Sequence, residues 1–201
     1  MTIITLDELQ MLGPKIPDIV PIPSSSLFGW IAGGAIRGWF KGNEKLSDVD
    51  VFFETEKAFN NYCQLLLQRG FKKISEHKNA VSFILDDLLV QCIRVKYYSS
   101  IEDLFNSFDF TVCQFAWNGT QIYSTTEAII STLRNHLGVN KLEGNVVDSL
   151  RRAFKYTKKG YFPCNGTVMK IAQSLRGLSE EDIKKAVEVS PGGGSRLIRI
   201  D

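Results

Sequence analysis

The segment Asp48-Val49-Asp50-Val51-Phe52-Phe53 alternates with a period of two, which predicts a strand carrying its aspartates on one face and its valines on the other. Upstream, the apolar run Leu27–Ala32 stops at Gly33-Gly34 and gives way to Ala35–Phe40, a pattern that reads as strand, glycine turn and short helix. Downstream, Phe59, Tyr62, Cys63, Leu66 and Leu67 recur at helical spacing within 56–69, and Gly70 closes the stripe. Phe71–Ser75, Ala80–Leu85 and Leu88–Val95 read as strands, with Asp86-Asp87 turning a hairpin. Ser99 and Glu102 have the spacing of a capping box, so a helix is expected over 100–107. A strand is then expected over Phe108–Trp117, closed by a hairpin turn at Asn118-Gly119.

Beyond Thr125 the period lengthens, predicting helices over about 126–136, 146–159, 166–176 and 180–188, the last one signalled by Ser179 before Glu180-Glu181. At the other end, residues 5–12 fit a short helix, and Pro14, Pro17, Pro21 and Pro23 predict an extended arm. The expected organisation is a head over 1–124, a helical neck-like region over 125–190 and a flexible tail over 191–201, opened by Pro191-Gly192-Gly193-Gly194-Ser195. The class is α+β, a mixed sheet flanked by helices and followed by a small helical region.

A chain of 201 residues with 44% hydrophobic and 23% charged residues is of ordinary globular composition, sized for one catalytic domain and an appendage. With 24 basic against 22 acidic residues, the formal charge of +2 excludes a general cationic coat. A basic site must be local, and Arg151, Arg152, Lys155, Lys158 and Lys159 supply one, with Arg151, Lys155 and Lys159 at helical i, i+4, i+8 spacing. The four cysteines, Cys63, Cys92, Cys113 and Cys164, form no CxxC and are read as reduced core thiols. A secretory signal and a membrane-length apolar run are both lacking, so a cytoplasmic protein without membrane contact is expected. The sequons at Asn118 and Asn165 are then read as turns.

Two glycines after a buried strand let a bulky anion approach the backbone, and the following helix aims its free amides and positive dipole end at phosphate. Arg37, one turn into that helix, adds a cation. A P-loop does not fit, since Trp39-Phe40 stands where Lys-Ser/Thr is required, and GxGxxG is not met either. Two carboxylates on one strand face share hard divalent cations, and Val51, Phe52 and Phe53 make uncompensated charge beside them costly. Magnesium is the natural counter-charge for Asp48 and Asp50.

Gly33-Gly34, thirteen intervening residues and Asp48-Val49-Asp50 together resemble the signature of the polymerase-β nucleotidyltransferase superfamily. Within it, Ile31-Ala32-Gly33-Gly34-Ala35-Ile36-Arg37-Gly38 is similar to the head of bacterial poly(A) polymerases and CCA-adding enzymes, as are Asp103-Leu104 and Asp109-Phe110-Thr111. The resemblance covers roughly 28–124, with 146–159 resembling the first neck helix. This chain departs from the pattern at Ser107 and Phe108, where the family has paired arginines, and at Gln91, where an acidic residue is common.

The resemblance implies a magnesium-dependent transfer of a nucleoside monophosphate from a nucleoside triphosphate, such as ATP, to an acceptor hydroxyl, with release of pyrophosphate. It implies that Asp48 and Asp50 hold the metals. Asp109 would complete the acceptor-side metal site, its alternatives being a helix cap or a ribose contact. Gly33, Gly34 and Arg37 would cradle phosphates. If the basic helix folds back, Arg151, Arg152 and Lys155 would grip the triphosphate and Tyr156 would stack on a base, the alternative being a solvated face. His77 and His136 are assigned no role. An RNA 3′ end, a tRNA end among the candidates, is the favoured acceptor over a protein side chain or a small molecule. The rivals are a non-catalytic nucleotide-binding module and an interaction protein of toxin–antitoxin type.

Overall fold

The computed structural model describes residues 2–4, 16–22, 29–42, 48–142 and 146–188. The expected helix over 5–12, the serines before Leu27 and the tail over 191–201 lie outside these residues. Ten strands are described: β1 (Thr2–Ile4), β2 (Gly29–Ala32), β3 (Asp48–Phe53), β4 (Lys72–His77), β5 (Ala80–Leu85), β6 (Leu88–Ile93), β7 (Phe115–Trp117), β8 (Ile122–Ser124), β9 (His136–Leu137) and β10 (Phe162–Pro163). The helices are α1 (Gly34–Lys41), α2 (Glu56–Gln68), α3 (Ile101–Ser107), α4 (Thr126–Leu133), α5 (Val146–Lys158), α6 (Asn165–Arg176) and α7 (Glu180–Glu188).

Eight strands form one mixed sheet in the order β1-β8-β7-β2-β3-β6-β5-β4. The β3–β6 pair is parallel and the other pairs are antiparallel, while β9 and β10 form a separate two-stranded parallel ribbon. The parallel pair requires a crossover, which α2 supplies together with the β4–β5 hairpin. A Schellman-type end stops α2: Gly70, at φ 89°, donates to the Leu67 carbonyl, and Phe71 donates to that of Leu66.

Alternation along β2 and β3 sorts the core into two layers. Ile31, Val49, Val51 and Phe53 face a cluster with Ile36 and Trp39 of α1 and Phe59, Tyr62 and Leu66 of α2. Trp30, Ala32 and Phe52 face the opposite cluster, built with Leu104 and Phe105 of α3, Phe110, Val112 and Cys113, and Ala153 and Tyr156 of α5. Asp48 and Asp50 keep step with Phe52, so they open toward the layer to which α5 belongs.

Several expectations change. The strand expected over Phe108–Trp117 is broken by a 3₁₀ turn, Thr111–Cys113, because Phe110 bridges to Val139 and the Thr111 amide donates to the Gly138 carbonyl. Only Phe115–Trp117 joins the sheet, in a hairpin with β8 whose loop is tied by the Asn118 side chain. Ser100, not Ser99, caps α3, its hydroxyl accepting from the Asp103 amide. Asn165-Gly166-Thr167 opens α6 rather than forming a turn. Residues 16–22, expected as an extended arm, turn where the Val20 amide donates to the Pro17 carbonyl and pack on the core: Ile16 and Val20 are buried, and Tyr62 donates to the Pro21 carbonyl at 2.6 Å. Cys164 is exposed, unlike the core thiol expected there.

Candidate active site

In the β2–β3 pair Ala32 lies opposite Asp50, so the turn leaving β2 is set beside the half of β3 that bears both aspartates. Gly33 has φ 79° and ψ −133°, a conformation essentially reserved for glycine. Its N–H donates to the Phe115 carbonyl at 2.8 Å, and its carbonyl accepts the first bond of α1, from Arg37 at 3.0 Å. The Gly33 amide is therefore held by the sheet. The amides that precede the first intrahelical bond, and are placed to meet an anion, are those of Gly34, Ala35 and Ile36. A Cβ on Gly33 would meet nothing within 4 Å, and one on Gly34 would meet only Arg37 Nη2 at 3.7 Å, so neither glycine is imposed by protein crowding.

The Asp50 carboxyl is pushed up to about 7, chiefly by burial and in addition by the neighbouring Asp48, against the downward pull of Lys155, Arg152 and Lys159. Asp50 Oδ1 is buried and accepts no hydrogen bond from the described residues. Two carboxylates on one strand face, one with an orphaned oxygen, fit a hard divalent cation. Among the described residues, no three His, Cys, Asp or Glu side chains gather into a metal-holding group. On β6, Gln91 is the register partner of Asp50, and its amide donates to Ser82 Oγ at 3.4 Å.

Arg37 does not reach out of the fold, because it is fully buried. Its guanidinium donates to the Val112 carbonyl at 3.4 Å and lies over the rings of Tyr161 and Tyr156, at 4.9 and 5.4 Å. This arginine braces the glycine turn from beneath rather than presenting its charge to solvent.

The helix α5 folds back onto the head, and Tyr156 and Arg151 are engaged away from the expected nucleotide contacts. Tyr156 is buried, with its hydroxyl 2.9 Å from Cys113 Sγ and its ring edge-on to Phe110 and Tyr161. Base stacking by this ring is thus corrected to core packing. Burial raises its phenol, with Cys113 adding to the shift. Arg151 pairs with Asp148 at 2.9 Å. Arg152 Nη2 stands 3.2 Å from Asp109 Oδ1, a contact that falls short of a directed hydrogen bond, and 3.7 Å from Cys113 Sγ.

Asp109 is 8% exposed and has Arg152 as its charged neighbour. Burial pushes its carboxyl up and Arg152 pulls it back. The cations acting on Asp50 are Lys155, Arg152 and Lys159, so the stripe facing the site runs i, i+3, i+7 from Arg152 instead of starting at Arg151. Lys159, absent from the expected binding set, was signalled by its one-turn spacing from Lys155. Nothing local signalled Cys113, whose partners on α5 are 39 and 43 residues away.

A mixed sheet that sets a glycine turn and an Asp-x-Asp strand side by side defines the head fold of polymerase-β-like nucleotidyltransferases, and solved structures agree. A tRNA-processing enzyme superposes with TM-score 0.61 at 13% identity, over 88% of this chain and 54% of its own. The Thermotoga maritima CCA-adding enzyme complexed with tRNA gives 0.57 at 19%, over 91% and 46%. A tRNA nucleotidyltransferase complexed with a primer tRNA and an incoming ATP analogue gives 0.57 at 16%, over 80% and 52%. At such identities the likeness is one of fold.

The chain belongs to the Gabija anti-defense 2 family, whose model matches residues 18–135. A relative from Bacillus phage SPbetaL7, "Gabija anti-defense 2", is 34% identical over 133 residues, 65% of this chain. That match spans 33% of the phage protein, about a third of its length. Among the described residues, no helix is long and apolar enough to cross a membrane.

Proposed function

We propose that this chain transfers a nucleoside monophosphate from a nucleoside triphosphate to an acceptor hydroxyl, releasing pyrophosphate. The observation that carries the reading is Asp50, half-buried beside Asp48, whose Oδ1 is shut from solvent with no described hydrogen-bond donor. Magnesium bound there supplies Lewis-acid stabilisation of the charge that develops during phosphoryl transfer. Asp48 and Asp50 are the protein's ligands to it. The amides of Gly34, Ala35 and Ile36 orient the phosphate chain at the N-terminus of α1, and Lys155 and Lys159, whose charges act on Asp50, offset its charge.

An RNA 3′ end remains the favoured acceptor, supported by the tRNA-bound neighbours of the same fold. Family membership favours a second acceptor class, a hydroxyl on a protein component of the defence that the family counters. Incubation with each α-labelled triphosphate, magnesium and either total RNA or total protein separates the two. Label is expected in one pool and lost in an Asp48→Ala/Asp50→Ala variant; label in neither pool, or retained by the variant, rejects the transferase reading.

A further inference from the structure

The side chains of Arg152, Lys155, Tyr156 and Lys159 occupy one face of α5, within about 100° of arc at 3.6 residues per turn. Two of them meet the head on successive turns: Arg152 at Asp109 and Cys113, and Tyr156 at Cys113. The receiving surface is stiff. The Asp109 carbonyl accepts from the amides of Asn140 and Lys141, and the Asn140 side chain donates to the carbonyls of Phe105 and Phe108. The 3₁₀ turn beyond it is tied to α1 through Arg37 and Val112 and to α4 through Thr111 and Ser131 at 3.0 Å.

We propose that Asp109 is a positioning residue: through Arg152 it fixes the roll of α5, so that Lys155 and Lys159 stand over the Asp48–Asp50 face and receive the triphosphate. The inference rests on the nucleotidyl-transfer reading of that face. A roll of one residue, 100°, would bring Arg151 toward the head and carry the lysines away. Arg151 instead pairs with Asp148 along α5 itself. The Asp109–Arg152 pair is the charged contact that selects between these settings, and Asp109 thereby acts on the phosphates through another element.

The test uses Asp109→Asn, Arg152→Met and Lys155→Met, singly and in pairs, with thermal unfolding to verify folding. Three quantities are read: affinity for a fluorescent ATP analogue in calcium, affinity for manganese alone, and hydrogen exchange of residues 146–158. Asp109→Asn and Arg152→Met are each expected to weaken nucleotide binding about tenfold, the double variant no further. Lys155→Met should weaken the wild type and add little to Asp109→Asn. Exchange in α5 should quicken and manganese affinity should hold.

Should Asp109→Asn fail to fold, Arg152→Met, at a half-exposed position, tests the link from its other end. Lost manganese affinity in Asp109→Asn would make Asp109 a metal ligand and overturn the proposal. Additive losses, or unchanged exchange in α5, overturn it as well while leaving the transferase reading in place. A wild type that binds neither nucleotide nor manganese overturns both.

Discussion

Asp50 on β3 and Gln91 on β6 are register partners in parallel strands, so their side chains leave the sheet on the same face. A neutral amide thus occupies the place from which a third carboxylate would join the pair. Gln91→Glu adds a like charge beside Asp48 and Asp50. The metal-free variant should lose on the order of 1 kcal/mol of stability at pH 8, and magnesium should restore it. Urea unfolding with and without magnesium measures both. A magnesium midpoint identical to that of wild type would show that position 91 stands outside the cation's reach.

The pH dependence of the metal-free protein follows from Asp50. Its carboxyl is raised in the fold, to about 7, above an unfolded value near 4. The folded state therefore binds the extra proton, and stability from this group is fully present below the unfolded value. It is lost as pH rises toward and through 7, with a total on the order of 4 kcal/mol. Asp50→Asn should flatten this fall and make the metal-free protein more stable at pH 8, as read from denaturant midpoints across pH. A fall of equal depth in Asp50→Asn would assign the titration to another group.

The two glycines are separable by substitution. At Gly33 the φ of 79° makes alanine strained whatever space is free, a loss of about 1–3 kcal/mol in stability. At Gly34 an added methyl meets ordinary contact with Arg37, so Gly34→Ala should fold normally. If phosphate approaches the first turn of α1, Gly34→Ala should still weaken triphosphate binding about tenfold. Calorimetric unfolding and nucleotide titration together decide it, and undiminished affinity would move the phosphates away from α1.

Cys164 gives a prediction away from the site. Its exposed thiol precedes α6 and is lowered to about 6 by the Thr167 backbone, with His136, the Thr167 hydroxyl and the Gly166 backbone adding to the shift. Iodoacetamide at pH 7 should alkylate Cys164 ahead of Cys63, Cys92 and Cys113. The rate should climb with pH through about 6 in wild type and at higher pH in His136→Ala. Peptide mass mapping across pH follows it, and a rate profile centred near 8.5 in wild type would refute the acidified thiol.

The parts legible from the sequence are those whose causes are local. Alternation gave β3 its full length, Gly33-Gly34 marked the turn, and Ser179 caps the last helix from the position expected of it. The misread parts are set by distant partners. No periodicity announces that Thr111 bonds to Gly138, which breaks a plausible strand, or that Arg37 ends beneath Tyr156 and Tyr161. Arginine one turn after a glycine pair suits phosphate equally well until the aromatic rings arriving from α5 and beyond it are known. The packing of Tyr156 shares this origin, since it is set by how α5 lies against Phe110 and Cys113.

Residue 124 looks like a seam in the sequence, yet Leu137, Ala153, Tyr156, Tyr161 and Ile171 share the layer that covers Trp30, Ala32 and Phe52. A fragment cut there would carry the aspartate pair on a sheet with much of one greasy side bare, and would be expected to aggregate rather than work in isolation. For anyone grafting this head onto another scaffold, the minimal transferable unit therefore runs through α6.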